Sequence, residues 1–476
     1  MKKIKAKSLS GEDIIINSGS IEKFKNQLSG KLLLEADSDY DEARKIWNGM
    51  IDRKPALIVR ATEESDIVNS VNFARDNNIL LSVKGGGHNI AGNAVCEGGL
   101  MLDLSLRNSV EVNETDKTVV VESGCLLGDV DKETQKHGLA VSAGIVSHTG
   151  VAGLTLGGGF GWISRKYGMT IDNLISADII TADGATVTTS KDQNQDLFWG
   201  IRGGGGNFGV VSSFKFKGAE IGKEVFCGLI VFPYSVAKEY IQFHRDYVRT
   251  LPEDMTVWMV LRKAPPLPFL PESVHGELVV AVPFVFLGDQ EKGEKLINPI
   301  REFAEIHGEH VGMQPFDQWQ VTFDGLVSHG ARNYWKSHSL KGLPDDCIDK
   351  VVEYVNKLPS PHCEVFIAHL EGAQSRVPES ETAYAFRKSP FVINMHTRWD
   401  DESDDEKCIQ WARNFFESTK QYADGVYVNF VSDSNEKRIK EAYSPESWDR
   451  LVVLKDKYDP NNLFRMNQNI KPSNNK

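Results

Sequence analysis

Short apolar runs alternate with amphipathic segments along residues 1–216. The runs ALIVRA, ILLSV, GLMLDL and KTVVVESG each predict a short strand. Thr62 is expected to cap a helix through EESDIVNSVNFARDNN, because Ile67, Val71 and Ala74 then fall on one face. LLGDVDKETQKHG predicts a second helix that ends at Gly138. The alternation indicates a mixed α+β domain.

The pattern changes at about Lys217, where longer β-type runs begin. ELVVAVPFVFLG, CEVFIAHLEGA and FVINMHTRW predict strands, and DDEKCIQWARNFFESTKQY predicts a helix. Such segments indicate an antiparallel sheet backed by helices. The acidic run Asp400–Glu406 is expected to lie at the N-terminus of that helix, where negative charge is favoured, rather than to bind a metal.

Length and charge narrow the class of protein. A chain of 476 residues is too long for one ordinary core, so two domains are expected. The formal net charge of −12 disfavours nucleic acid or an anionic membrane as a partner, which leaves small molecules. The start of the chain has no apolar signal region and no later run approaches ~18 apolar residues, which predicts a cytoplasmic protein.

The six cysteines form no C-x-x-C pair, so neither a metal site nor a disulfide framework is expected. The oligomeric state is not predicted.

Glycine is concentrated in the first half, where 24 of the 41 glycines lie between Gly85 and Gly209. They form three clusters, KGGGHNIAG, GVAGLTLGGGFG and IRGGGGNFG. Each cluster alone is compatible with a structural turn, but together they indicate an extended ligand held by main-chain amides, as a pyrophosphate is. A Rossmann fold needs G-x-G-x-x-G between a strand and a helix and an acidic residue about 20 positions later; His88 interrupts the first cluster, and the other two lack that acid. There is also no Walker A, G-x-S-x-G or H-E-x-x-H motif.

Several motifs occur in a specific order along nearly the whole chain. They are Gly86, Gly87 and His88, then GVAGLTLGGGFG, KYGMTIDNL, ADG, DLFWGIRGGGGNFGVV and YDPNNLFRMNQNI. This series resembles the berberine bridge enzyme family, whose FAD-binding domain is of the p-cresol methylhydroxylase (PCMH) and vanillyl-alcohol oxidase type. The resemblance implies an α+β fold with a two-subdomain FAD-binding domain over 1–216 and an antiparallel-sheet substrate domain over 217–425. A C-terminal segment, 426–476, is expected to return to the FAD-binding domain.

The resemblance also implies how the cofactor is held. His88 falls where the family bonds an imidazole covalently to the flavin's benzenoid methyl group, and a neutral imidazole offers a nucleophilic nitrogen there. Val146 occupies the position of a second attachment cysteine, so a single covalent bond is expected. The other expected FAD contacts are Lys84, Gly85, Gly86, Gly87, Asn89, Gly92, Val146, His148, Thr149, Gly150, Gly153, Gly157, Gly158, Gly161, Asn173, Gly209, Val210 and Asn467. Asn467 and Gln468 either close over the flavin or pack the returning segment.

Four residues are expected to act on the substrate. Tyr427 and Asn429 in GVYVNF share a face if this run is a strand, and they resemble the family's Tyr-x-Asn stretch beside the flavin. A tyrosine base needs its pKa lowered from about 10, and Gln374 and Arg376 in EGAQSRVPES are the candidates to lower it. This run resembles the family's substrate-domain strand that bears active-site polar residues, and on a strand the two side chains would share a face. Plant enzymes of the family carry a glutamate at the position aligned with Arg376, which argues against their ring-closing reaction.

The expected activity is that of an FAD-dependent oxidase. It would remove a hydride from a carbon bearing OH or NH and pass the electrons to O₂, giving H₂O₂. Thr149 falls where valine accompanies oxidases of the family and isoleucine accompanies dehydrogenases, and threonine is close to valine in volume. The alternatives are a dehydrogenase with another acceptor, a flavin-carrying protein without turnover, and a sugar-nucleotide reductase that holds FAD without a covalent bond. Sugars, alcohols and cyclic amines all remain candidate substrates.

Overall fold

The computed structural model describes residues 3–433 and 435–475. Many short strands and helices make up residues 3–217. The strands are β1 (Ile4–Lys7), β2 (Asp13–Ile16), β3 (Lys31–Leu33), β4 (Leu57–Arg60), β5 (Leu81–Lys84), β6 (Leu100–Asp103), β7 (Val110–Asn113), β8 (Thr118–Glu122), β9 (Leu139–Ala140), β10 (Leu174–Ile180), β11 (Thr186–Ser190) and β12 (Val210–Lys217). The helices are α1 (Ser18–Lys25), α2 (Tyr40–Ala43), α3 (Glu64–Asp76), α4 (Leu127–Gln135), α5 (Val151–Leu156), α6 (Ser164–Tyr167) and α7 (Gln195–Ile201).

Two sheets organise this first half. A four-stranded sheet has the order β3-β4-β6-β5, with β4, β6 and β5 parallel, and a five-stranded antiparallel sheet has the order β11-β10-β12-β8-β7. The mixed α+β prediction is therefore confirmed. The expected Thr62 cap is wrong, because Glu63 is the N-cap of α3. The buried carboxylate of Asp66 instead accepts hydrogen bonds from the main-chain N–H groups of Thr62 and Glu63, which fixes the start of the helix.

Longer strands and helices follow in residues 218–425. The strands are β13 (Ala219–Glu220), β14 (Glu224–Pro233), β15 (Met255–Val257), β16 (Met259–Lys263), β17 (Leu278–Phe286), β18 (Gly308–Pro315), β19 (Arg332–Leu340), β20 (Glu364–His369), β21 (Phe391–Trp399) and β22 (Ala423–Gly425). The helices are α8 (Ala237–Tyr247), α9 (Gln290–Arg301), α10 (Phe316–Gln320), α11 (Asp345–Val355), α12 (Ala373–Arg376) and α13 (Asp405–Thr419).

A nine-stranded antiparallel sheet dominates this second half. Its order is β18-β14-β17-β16-β20-β21-β19-β22, with β15 paired to β17. Helices α11 and α13 pack against β19, β20 and β21, and their apolar residues join those of the sheet in one large core. The predicted antiparallel sheet backed by helices is confirmed. The opposite face of the sheet is turned toward the glycine-rich clusters.

The C-terminal segment folds back onto the first half through a buried ion pair. It contains α14 (Glu436–Lys440) and α15 (Pro445–Tyr458). On α15, the Lys455 ammonium donates to the Asp459 carboxylate at 2.7 Å and to the main-chain oxygens of Asn207 and Phe464 at 2.9 Å. Burial lowers the pKa of Lys455 to about 8. Since Asn207 belongs to the third glycine cluster, this ion pair fastens the end of the chain beside that cluster. Within the described ranges, no helix combines the length and apolarity needed to cross a bilayer.

Candidate active site

The three glycine clusters meet around one cavity of about 720 Å³. One wall comprises main chain from Gly85–Gly87, the stretch at Gly150–Gly157, and Gly205–Gly209. The facing wall is the sheet surface of residues 224–399, and the C-terminal segment closes the remaining side with Tyr427. A cavity of this size and enclosure is typical of cofactor and small-molecule sites.

Glycine is required at these positions by close main-chain approach. A Cβ atom on Gly86 would lie 2.4 Å from the main-chain nitrogen of Gly150, and a Cβ on Gly150 would lie 2.4 Å from that of Gly86. A Cβ at Gly153 or Gly206 would meet no atom within 4 Å and would occupy space in the cavity. The walls are therefore main chain brought close to an open channel, which fits an extended dinucleotide such as FAD.

His88 lies in the cavity wall among other rings. Its imidazole stacks on Trp47 with ring centroids 4.9 Å apart, and its Nε2 lies 2.7 Å from Nδ1 of His148. His329 is the next ring, 5.0 Å from His148. Burial, helped by the two neighbouring histidines, holds the pKa of His88 well below its usual range. The imidazole is thus neutral at pH 7, with its Nε2 in contact with His148.

Tyr427 and Asn429 also meet in the cavity wall. The predicted strand is wrong, because Val428–Phe430 forms a 3₁₀ turn after β22 ends at Gly425. This turn still brings the two side chains together. The Tyr427 hydroxyl oxygen accepts from Nδ2 of Asn429 at 2.9 Å and from the main-chain N–H of Gly159 at 3.0 Å. With two donors on its oxygen, the phenol has its own hydrogen available for a ligand.

The structure divides the predicted site residues into two groups. The first group lines the cavity: Gly85, Gly86, Gly87, His88, Asn89, Val146, Thr149, Gly150, Gly153, Gly157, Gly209, Val210, Tyr427, Asn429 and Asn467. The second group lies outside it: Lys84, Gly92, His148, Gly158, Gly161, Asn173, Gln374 and Arg376. His148 belongs to the second group but touches His88. The roles assigned to both groups stay predictions.

Several residues of the second group shape the main chain instead of facing a ligand. Lys84 turns away and donates to the Ala43 carbonyl at 2.6 Å. Asn173 donates to the carbonyls of Tyr167 and Met169 at 2.9 Å, and the ideal Cβ position of Gly161 lies 1.9 Å from the carbonyl oxygen of Ala143. Gly92 and Gly158 have φ values of +74° and +126°, which L side chains rarely adopt.

The expected active-site strand bearing Gln374 and Arg376 is wrong. Residues Ala373–Arg376 form the short helix α12, in which Gln374 is buried away from the cavity. Arg376 is exposed and forms an ion pair with Glu253. Burial raises the pKa of Tyr427 to about 12, against the smaller lowering effect of the hydrogen bonds from Gly159 and Asn429. The condition for a tyrosine base is therefore not met by these residues.

Sequence reasoning missed the polar residues that do face the cavity from the sheet. They are Glu364 on β20 and Asn394 and His396 on β21, and the last two share a face because they are two residues apart. Arg262 on β16 joins them. The available signal was the polar residues at alternate positions of β21, an otherwise largely apolar strand; β20 carries no such repeat.

The far end of the cavity is apolar. It is lined by side chains of β14, β16 and β17 and by the proline-rich loop that follows β16: Leu229, Val231, Val260, Ala264, Pro265, Pro266, Leu267, Phe269, Leu270, Val279 and Ala281. Aromatic side chains continue this lining toward the glycines: Phe160, Trp162, Trp258, Trp319, Phe323, Trp335, Phe366 and Phe430. This part of the cavity lining is therefore mainly apolar.

Sequence profiles of two families match the chain. The FAD binding domain profile matches residues 55–190, and the "Berberine and berberine like" profile matches residues 426–471. The first covers the glycine cluster at His88 and the second covers Tyr427 and Asn467. Both matched regions contribute to the walls of the cavity.

Individual proteins match over nearly the full length. An FAD-linked oxidoreductase of Dictyostelium discoideum is 32% identical over 95% of this chain and 97% of its own. The crystal structure of 6-hydroxy-D-nicotine oxidase from Arthrobacter nicotinovorans superposes with a TM-score of 0.83 at 26% identity, covering 94% of this chain and 98% of that one. A xylooligosaccharide oxidase from Myceliophthora thermophila, solved with xylobiose, has a TM-score of 0.84 at 22% identity, covering 96% and 100%. At 22% identity, the match to the xylooligosaccharide oxidase shows a shared fold and nothing about the substrate.

Proposed function

Because the chain belongs to the berberine bridge enzyme-like family of FAD-linked oxidoreductases, we propose that it oxidises a small molecule with O₂ as the acceptor. The reacting carbon of the substrate would bear a hydroxyl or amino group, and H₂O₂ would be the second product. The observation that carries this proposal is the convergence of three glycine clusters, His88 and Tyr427 on one cavity.

The residues of the cavity fit FAD as its cofactor. The glycine clusters would hold the pyrophosphate through main-chain amides, and His88 would carry the flavin through one covalent bond. Bound flavin supplies a hydride acceptor. Val146 lines the cavity at the position of the family's second attachment site and offers no sulfur, which supports a single bond.

The remaining groups would bind and orient the substrate. The Tyr427 hydroxyl would donate a hydrogen bond to the substrate's oxygen or nitrogen, since both hydrogen bonds to its own oxygen are already made. The apolar and aromatic walls would pack the rest of the substrate and exclude water. This lining favours a substrate with an apolar body over an oligosaccharide, which would need many polar partners.

The class of reaction is tested by anaerobic mixing of the purified, flavin-loaded protein with a panel of sugars, aromatic and aliphatic alcohols, and cyclic amines. Loss of flavin absorbance near 450 nm on at least one compound is the expected result, with alcohols or amines of apolar body ahead of sugars. A fully loaded enzyme that no compound bleaches would instead support a flavin-carrying protein without turnover.

Replacing Tyr427 with phenylalanine is expected to slow flavin reduction by about 10- to 100-fold while the flavin stays bound. The loss of one hydrogen bond that leaves its partners unpaired costs about 1–3 kcal/mol, which corresponds to this range. Rapid-mixing absorbance measures the rate. Tyr384→Phe is the matched control, because this buried tyrosine lies with its ring centroid 6.2 Å from that of Tyr427 but outside the cavity wall. Equal slowing of both variants would contradict a role for the Tyr427 hydroxyl.

Replacing Thr149 with isoleucine tests the proposed use of oxygen. Thr149 lines the cavity, so the larger isoleucine would take up space at its wall and should hinder the approach of O₂. Reoxidation of the photoreduced enzyme is expected to slow by about tenfold or more, equivalent to about 1.4 kcal/mol in the barrier. Thr149→Val is the control, because valine has nearly the volume of threonine and should reoxidise like the wild type. A wild type that is already slow in air would favour the dehydrogenase alternative.

A further inference from the structure

A row of polar side chains crosses the sheet on the cavity face. Arg262 of β16 is the cross-strand partner of Glu364 of β20, and Glu364 is the partner of His396 of β21. Trp335 of β19 is in turn the partner of His396. Directly opposed residues on one face are close enough to bond, so the register alone assembles this row. All four side chains line the cavity.

The contacts within the row leave one atom free. The Glu364 carboxylate forms an ion pair with the guanidinium of Arg262 through Oε2, and its Oε1 lies 3.0 Å from Nδ1 of His396. Nε2 of His396 is buried and has no hydrogen-bond partner among residues 3–433 and 435–475. A buried imidazole that is held at one nitrogen by a carboxylate and free at the other has the arrangement of a general base.

We propose that His396 is the proton acceptor of the oxidation, with Glu364 and Arg262 as its positioning residues. The inference rests on the proposed function. Nε2 would take the proton from the substrate's O–H or N–H group, while the electron pair of the adjacent C–H bond leaves as hydride to the flavin. A C=O or C=N bond forms in the substrate, one N–H bond forms on His396, and the flavin is the oxidant.

The charges around His396 suit this role. Burial lowers the pKa of His396 below its usual value of 6.5, although the hydrogen bond and charge of Glu364 act in the opposite direction. The other charged groups that act on it are Arg398 on its own strand and Arg262, and both lower its pKa. The imidazole is therefore neutral at pH 7 and able to accept a proton. Arg262 and His396 hold the pKa of Glu364 at about 2, so this carboxylate remains ionised.

His396 also shares an aromatic wall with the two other key side chains. The Trp335 ring centroid lies 4.4 Å from that of His396 and 5.3 Å from that of Trp47, which stacks on His88. Trp335 likewise lies 5.3 Å from Phe430, whose ring centroid is 4.9 Å from that of Tyr427. A substrate on this wall would have a hydrogen-bond donor at Tyr427 and an acceptor at His396.

The first test is the pH dependence of anaerobic flavin reduction. The wild-type rate should be flat near pH 7 and fall as the pH drops through the pKa of His396, below 6.5, because protonation removes the acceptor. His396→Gln should slow reduction by about 100-fold or more and lose this acid limb. Glu364→Gln should move the limb to lower pH, because the group that raises the imidazole's pKa is gone. His338→Gln is the control, since this histidine is on β19 but bonds the Phe416 carbonyl outside the cavity.

A second measurement does not depend on turnover. Nuclear magnetic resonance of protein labelled with ¹⁵N in its histidine rings follows the protonation of the imidazoles directly. The wild type and His338→Gln should show a ring signal that shifts as the pH falls below 6.5, through the pKa of His396, and His396→Gln should lack this signal. An unchanged signal in His396→Gln, or an acid limb that Glu364→Gln does not move, would overturn the proposal. A clear signal in an enzyme that no substrate reduces would place the failure in the proposed function instead.

Discussion

The His88→Ala variant is expected to release all of its flavin on acid precipitation, whereas the wild-type pellet should stay yellow. The physical reason is that a covalent bond survives denaturation, while contacts to glycine main chain do not. Retention of FAD before precipitation is expected in the variant, because the glycine walls are unchanged. Absorbance of the supernatant and of the redissolved pellet measures the two fractions.

The His88→Ala variant removes the attachment group without disturbing the side chains around it. The imidazole of His88 is neutral and lies against His148 and Trp47, so alanine removes the nucleophile and leaves the neighbouring rings in place. His137→Ala is the control, since this histidine pairs with Glu114 away from the cavity. Flavin in the wild-type supernatant, or a yellow His88→Ala pellet, would contradict the attachment.

Replacing Lys455 with methionine is expected to weaken the packing of the C-terminal segment by about 3–5 kcal/mol. Lys455 and Asp459 are both fully buried, so removal of the ammonium leaves the carboxylate uncompensated. The main-chain oxygens of Asn207 and Phe464 lose their donor as well. Hydrogen exchange of residues 459–470 and flavin retention should both report the loosened segment.

A lysine two residues further along α15 provides the control. Lys457 is 58% exposed and pairs with Asp196 at the surface, where an ion pair contributes about 0–1 kcal/mol. Lys457→Met should therefore leave exchange and flavin content nearly unchanged. If residues 459–470 of the Lys455→Met variant exchange hydrogen as slowly as those of the wild type, the buried ion pair does not hold the segment in place.

The fold was largely predictable from the sequence because its signals are local. Alternating short strands and helices predicted the α+β first half, and the long β-type runs predicted the antiparallel sheet behind which α11 and α13 pack. The glycine clusters could also be recognised without a structure. A Cβ atom at Gly86 would collide with Gly150, so only glycine allows the two main-chain segments to approach this closely.

The substrate side was less predictable because it depends on register across several strands. Arg262, Glu364 and His396 are far apart in sequence, and only strand pairing makes them neighbours. The expected pair Gln374 and Arg376 was wrong for the same reason, since β20 ends at His369 and the chain has already turned into α12. Tyr427 and Asn429 were expected to share a strand face, and a 3₁₀ turn brings them together instead.

Peptide mapping of the purified wild-type protein by mass spectrometry after proteolysis would locate the flavin attachment directly. We expect one flavin-bearing peptide, which contains His88, and no flavin on any of the six cysteine-containing stretches. A protein whose flavin is entirely free, or attached at another residue, would contradict the assignment of this cavity and its histidine.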